Sequence, residues 1–233
     1  MNDIQELAIE LLNAVKKFFK FKELERLLNI PIPTIWRYIH RAMKPSVERA
    51  QEIISTLLRE DVISSIMSRV IELDKGIVKI YDAVYNIDVL TIASIDAYLW
   101  ARSLEPTAVM TVETDGIPLA TLVAKRLGTK LVVVKKRKEI GVKHFYEVSF
   151  VARDPPEIVT LYLPTDVLAP GSRVLIVDDL IRSGRTTRAL IELVEMARSS
   201  VVGVYALIGV GDSWIENLKD LVGDRYRVLF RIK

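Results

Sequence analysis

The sequence predicts an α/β domain built on a parallel sheet, preceded by an all-α head. Residues 4–60 space their apolar side chains by three and four, with Ile4, Leu7, Leu11, Val15 and Phe18 first and Ala50, Ile53, Ile54 and Leu57 later. From Gly76 onward, short apolar runs alternate with helical patterns, the rhythm of βαβ units and a parallel sheet. The run VLIV at 174–177 then stops abruptly on Asp178 and Asp179, as a strand does at the ligand-binding edge of such a sheet.

In chain order, the head contains helices broken at Pro31, Pro33 and Pro45, and its helical pattern continues to about Asp74, where Gly76 ends it. A strand is expected near 77–81, a helix over 88–103, a strand over 107–112, a helix over 118–127 and a strand over 131–135. Two β-rich runs, 145–152 and 158–163, read as a hairpin around Asp154, Pro155 and Pro156. The strand ending on the two aspartates follows, then a helix over 184–198, the strand Val201–Gly209, a helix over 213–222 and a strand over 226–231. The expected organisation is a helical domain over 1–62, a connecting helix over 63–75 and the α/β domain over 76–233.

Composition narrows the function. With 233 residues, 50% of them hydrophobic, the chain can bury one large core or two small ones. It has no cysteine, which excludes disulfides and thiolate metal sites, and only His40 and His144 offer imidazole. Acidic residues near the N-terminus (Asp3, Glu6, Glu10) fit no targeting peptide, and no apolar run approaches the roughly 18 residues of a membrane span. The expected location is the cytoplasm, with no membrane partner. Net charge is only +3, but the cations cluster: Arg37, Arg41 and Lys44 stand with His40, and Lys135–Lys138 form a run of four. Two basic sites suggest two anionic partners.

Within FKELERLLNIPIPTIWRYIHRAMKPS, Leu24, Leu27 and Leu28 share one face, Asn29 suits a left-handed turn and Ile30 plugs it. A second helix starts at Pro33 or Thr34 with Ile35 and Ile39 inward, leaving Thr34, Arg37, Tyr38 and Arg41 outward, with Lys44 beyond. The stretch resembles the helix-turn-helix of the lambda-repressor and Cro type over about 40 residues, including the Pro45-Ser46 that opens the next helix. It departs from that family at Glu25, where a small alanine is usual, and at Asn29, where glycine is. The resemblance implies double-stranded DNA as partner, with Thr34, Arg37, Tyr38, Arg41 and Lys44 on it, and a homodimer reading two half-sites.

After the strand, Arg182, Ser183, Gly184, Arg185, Thr186 and Thr187 suit a cup for one phosphate: backbone N–H groups at a helix start, close approach at Gly184, and hydroxyl donors. Asp178 and Asp179 would repel that phosphate but accept hydrogen bonds from vicinal hydroxyls of an attached sugar. These residues resemble the signature of type I phosphoribosyltransferases, and the resemblance spans about 76–233. It implies that Asp178 and Asp179 bind ribose and that 182–187 bind the 5-phosphate. It also implies that the turn Glu113, Thr114, Asp115 and Gly116, together with Lys135 and Lys136, binds the pyrophosphate of phosphoribosyl pyrophosphate with Mg2+. Asp115 calls for compensation there by magnesium or Lys136.

Two functions fit. The first is a transcription regulator whose phosphoribosyltransferase-like domain senses phosphoribosyl pyrophosphate or a nucleotide, resembling purine and sugar-catabolism regulators of archaea and bacteria. The second is an active orotate or purine phosphoribosyltransferase with a helical assembly domain. The basic helix face, which an enzyme does not need, favours the regulator. Catalytic side chains are not identifiable, because this chemistry rests on positioning and charge stabilisation.

Overall fold

A computed structural model describes residues 3–74, 77–153 and 156–232. Two compact units divide between Asp96 and Ala97.

The first unit begins with five helices: α1 (Ile4–Lys16), α2 (Phe21–Leu28), α3 (Ile32–Ile39), α4 (Val47–Leu57) and α5 (Glu60–Val70). Helix α1 packs on α3 and α4, and α2 packs on α3 and α4. Leu7, Leu11, Leu12, Val15, Leu24, Ile35, Ile53 and Leu57 are buried at this core, which is the three-and-four stripe of the sequence turned inward. Asp3 caps α1 through Gln5 N, and Ser46 caps α4 through Arg49 N.

Between α2 and α3, Asn29 takes the left-handed conformation (φ 51°, ψ 42°) and Ile30 is buried. Glu25 has a local reason: its Oε1 accepts the backbone N–H of Ile32 at 3.1 Å, one of the donors that the start of α3 leaves without an intrahelical partner.

Helix α5 ends at Val70, short of the expected Asp74. Glu72–Asp74 (β1) instead pairs antiparallel with Ile77–Lys79 (β2). Gly76 lies outside the described residues. The apolar run near 77–81 is therefore no strand of the main sheet; it closes a small hairpin before α6 (Tyr81–Val84) and α7 (Ile87–Ala101).

The second unit holds a five-stranded, wholly parallel sheet in the order β4-β3-β7-β8-β9. Its strands are β3 (Ala108–Val112), β4 (Lys130–Val134), β7 (Arg173–Ile181), β8 (Ser200–Val210) and β9 (Tyr226–Ile232). The intervening helices are α8 (Ile117–Leu127), α9 (Arg185–Met196) and α10 (Ser213–Val222). A separate antiparallel hairpin joins β5 (Phe145–Arg153) to β6 (Pro156–Pro164), as the sequence predicts; Asp154 and Pro155 lie outside the described residues.

The central strands are buried on both faces, so they read as continuous apolar runs rather than alternating ones. One core joins Met110, Val134, Ile176 and Ala206 of the sheet, Leu190 and Val194 of α9, Trp214 and Leu218 of α10, and Leu161 and Leu163 of the hairpin. Among the described residues no helix is long and apolar enough to cross a membrane.

Candidate functional site

The chain runs from β3 outward to β4 on one side and from β7 outward to β8 and β9 on the other, so the strand order reverses between β3 and β7. Ligands of open parallel sheets bind at the carboxyl ends of strands on either side of such a reversal. There lie the turn Glu113–Gly116 after β3 and the loop Arg182–Gly184 after β7, each leading into a helix.

A cleft of about 300 Å³ is lined by Val112, Glu113, Thr114, Asp115, Lys136, Asp178, Asp179 and Thr186, with Phe150, Ala152, Val159 and Leu161 of the hairpin opposite. Beside it a smaller cavity of about 170 Å³ is lined by Asp178, Leu180, Ile181 and all six residues from Arg182 to Thr187. Gly184 stands at the start of α9 with φ 73°, the left-handed region that a Cβ penalises. Thr187 is buried at the base of this cup and Arg182 is exposed at its rim. Arg185 turns away toward the hairpin, donating from Nη1 to Val151 O at 2.8 Å.

Asp178 is buried, and its Oδ1 accepts Asp179 N at 3.1 Å. Burial, followed by the neighbouring charge of Asp179, pushes its carboxyl well above the ordinary carboxylate range. Asp179 is raised too, by burial first, with the charge of Asp115 adding to it. The pair is thus an under-compensated acceptor site, the kind of perturbed group that marks functional clefts. Among the described residues no group of three or more His, Asp or Glu is arranged to hold a metal ion, so a cation here would need oxygens from a ligand.

Gly116 brings the two loops together. A Cβ at this position would lie 2.5 Å from Thr111 Oγ1 and 2.9 Å from Asp178 Oδ1. Gly116→Ala is therefore expected to displace Asp178 and cost about 1–3 kcal/mol of stability, measured by denaturant unfolding; an unchanged midpoint would show that the turn yields freely.

The basic run divides. Lys136 lines the cleft, and its backbone N–H donates to Glu113 Oε1 at 2.6 Å. Lys135, expected at the same site, pairs with Glu139 at 2.5 Å and lines a separate cavity with Phe145 and Tyr162. Its backbone bridges to Tyr162, which directs it away from the cleft. Lys138 pairs with Glu147 at 2.6 Å.

Two residues of α10 that the sequence did not single out brace the cup. Ser213 Oγ donates to Arg182 O at 2.8 Å, and Asn217 Nδ2 donates to Ser183 O at 2.9 Å. These contacts span more than thirty residues and leave no local signal.

In the first unit the expected outward face is redistributed. Tyr38 is buried, with 7% of its surface exposed, while Thr34 is half-buried. Helix α3 ends at Ile39, and Arg41 lies beyond it with φ 56°. Arg41 pairs with Glu6, and Lys44 with Glu6 at 2.8 Å and Asp3 at 3.8 Å. The exposed face of α3 is instead Pro33, Trp36 (48% exposed) and Arg37, continued by His40, whose ring stacks on Trp36 at 4.1 Å.

A cup at the reversal point of a parallel sheet defines an α/β protein whose candidate site lies between β3 and β7. The family of the phosphoribosyl transferase domain matches residues 80–225, more than half of the sequence, and the chain belongs to that family. Its α/β domain has the type I phosphoribosyltransferase fold, with five helices ahead of it.

Among its relatives, the purine biosynthesis transcriptional repressor PurR of Bacillus subtilis is 31% identical over 121 residues, 51% of this chain and 42% of the repressor. The adenine phosphoribosyltransferase of Rubrobacter xylanophilus is 35% identical over 136 residues, 56% of this chain and 68% of the enzyme. The chain thus spans less than half the length of the repressor it matches. The solved adenine phosphoribosyltransferase of Rhodothermus marinus superposes with a TM-score of 0.63 at 24% identity, over 74% of this chain and 99% of that one. At that identity the likeness speaks to the fold.

Proposed function

We propose that the chain is a DNA-binding transcription regulator whose phosphoribosyltransferase domain senses a phosphorylated ribosyl ligand. The observation that carries this reading is the pairing, in one chain, of α2 and α3 around a left-handed Asn29 with a family domain whose cup and paired carboxylates are intact. Residues 1–62 would be the helix-turn-helix domain, 63–75 the connection and 76–233 the sensor. Relatives named as purine regulators support it.

In this reading Pro33, Trp36, Arg37 and His40 face the major groove, since α3 exposes them together. Thr34 lies at the margin of this face, and Tyr38 supports the helix from inside. Asp178 and Asp179 hold ribose hydroxyls and residues 182–187 hold its phosphate. Glu113, Thr114, Asp115, Gly116 and Lys136 adjoin any group on the other side of the sugar. Magnesium would come bound to a ligand's phosphates and bring cationic charge beside Asp115, Asp178 and Asp179. A homodimer would present two α3 helices to half-sites about 34 Å apart. The decisive experiment is fluorescence-anisotropy titration of DNA selected by the protein from a random library, with and without phosphoribosyl pyrophosphate and Mg2+. Absence of any selected sequence would overturn the regulator reading.

The second reading, a working nucleobase phosphoribosyltransferase, is favoured by the intact cup and by relatives named as adenine and xanthine phosphoribosyltransferases. Consumption of a nucleobase with phosphoribosyl pyrophosphate would establish it.

Arg41 and Lys44 test the DNA reading from another side. The hydrogen bond from Lys44, and then that from Arg41, hold the Glu6 carboxyl below its ordinary range. Both cations are thereby neutralised at the foot of α3. Glu6→Gln frees them for DNA phosphates, so DNA affinity should rise and the plot of log K against log salt should steepen by about one to two units. A slope equal to the parent's would leave both residues out of the interface.

A further inference from the structure

Helix α9 carries charges that its own neighbours leave unmatched. Arg185, Arg188, Glu192 and Glu195 recur at three- and four-residue spacing and so share one face, with Arg188, Glu192 and Glu195 exposed. Arg188 and Glu192 line one groove of about 460 Å³ between α9 and β5. Among the described residues none of the four has an ion-pair partner. The order along the helix is two cations and then two anions. An antiparallel copy of the same helix complements that order: about a two-fold axis at the level of Leu190, Arg188 meets the partner's Glu192 and Arg185 meets the partner's Glu195.

The strand beside that face has an open edge. Strand β5 pairs with β6 alone, in an unbroken register and with no proline of its own. Tyr162 of β6 turns its backbone N–H and C=O to Lys135. Its cross-strand neighbour Glu147 therefore turns its own backbone groups away from β6, as do Ser149 and Val151 at the two-residue period. Val151 O, accepting Arg185 Nη1 at 2.8 Å, points the same way. An unbroken edge of this kind is a template for another strand. The tie from Arg185, at the start of α9, to Val151, toward the end of β5, also sets strand and helix side by side in opposite directions. From that tie Leu190 lies about 7.5 Å along the helix and Ser149 about 6.6 Å along the strand. One two-fold axis can therefore pass both levels.

We propose that β5 and α9 together form the face on which a second copy of this chain docks. The two β5 strands pair antiparallel about Ser149 and merge the two hairpins into one four-stranded sheet. The two α9 helices lie antiparallel beside it, with Arg188 on the partner's Glu192 and Arg185 on the partner's Glu195. Arg185 leaves Val151 O for that carboxylate, and the N–H of the partner's Glu147 takes the carbonyl. Met196, 46% exposed at the end of the same helix face, is covered. Both copies use the same surface, so the association closes at two. This names the face of the homodimer proposed above and depends on neither DNA nor ligand.

Sedimentation velocity of the full chain, from nanomolar to hundreds of micromolar, gives the dimer dissociation constant. Arg188→Glu sets a carboxylate against the partner's Glu192 at both symmetry-related contacts, and Glu192→Arg sets a guanidinium against the partner's Arg188. Each variant alone should self-associate at least about tenfold more weakly than the parent. Mixed in equal amounts, the two should form a heterodimer within about threefold of the parent's affinity, because every contact again joins opposite charges. A parent that stays monomeric, a dimer indifferent to both reversals, or a mixture no tighter than its components overturns the proposal. Should either variant fail to fold, the parent decides alone. Hydrogen exchange at the Ser149 and Val151 amides should slow as the dimer forms, and equal rates in monomer and dimer overturn the proposal.

Discussion

Asp178→Asn combined with Asp179→Asn should make the ligand-free protein more stable at neutral pH while abolishing its response to phosphorylated ribosyl ligands. Both carboxyls are raised by burial first; the charge of Asp179 adds to it at Asp178, and the charge of Asp115 adds to it at Asp179. A group whose folded pKa is raised contributes stability that is fully present below its unfolded value, about 3.9 for aspartate. That contribution is lost as pH rises through the raised folded value. The parent should therefore lose stability from acid toward neutral pH through this pair, and the amides, which do not titrate, should escape the loss. The gain expected at pH 7 is about 1–3 kcal/mol, the usual scale for relieving a buried polar group without full compensation. With ligand the order reverses. At a hundred times its dissociation constant a ligand stabilises the parent by about 2.7 kcal/mol, and the variant by nothing. Thermal melts from pH 4 to 8, with and without ribose 5-phosphate, read both effects. A variant that melts below the parent at pH 7 without ligand would show that the pair supports the fold rather than burdening it.

Adjacent residues of α3 should behave in opposite ways. Tyr38→Ala removes a side chain that is 7% exposed, and should cost about 3 kcal/mol of stability or more, as large core truncations do. Trp36→Ala removes one that is 48% exposed, and Arg37→Ala one that is also exposed; each should change stability by no more than about 0.5 kcal/mol. If α3 reads DNA, these two should instead each weaken specific binding by about 1–3 kcal/mol. Chemical denaturation separates the first effect, and anisotropy titration at fixed salt the second. A stable Tyr38→Ala protein, or Trp36→Ala and Arg37→Ala proteins that bind DNA like the parent, would each remove one half of this description of the helix.

The two kinds of residue also show what the sequence made legible. The strand ending on Asp178 and Asp179, the turn at Gly184 and the helix after it are local patterns, and period, glycine and flanking hydroxyls suffice to read them. Asn29 in the left-handed turn is equally local. Tyr38 was misread because a tyrosine can bury its ring whatever its hydroxyl suggests, and because a helical projection carried past Ile39 kept Arg41 on the same face. The short pairing of Glu72–Asp74 with Ile77–Lys79 was hidden by a helical pattern that ran on to Asp74. Lys135 is assigned to the pyrophosphate through the family resemblance of its basic run, although Glu139 four residues later offers it a partner. The bracing of the cup by Ser213 and Asn217 depends on how α10 returns beside the loop after β7, and no spacing in the sequence encodes that.

That bracing bears on the thermodynamics of whatever enters the cup. The carbonyls of Arg182 and Ser183 are tied to α10. A loop already anchored from behind surrenders little conformational freedom when an anion docks, so the ordering penalty that weakens binding to slack loops is largely absent. Ser213→Ala with Asn217→Ala would leave every ligand-facing group in place and reinstate that penalty. Affinity lost in this way should appear in calorimetry as a less favourable entropy of binding.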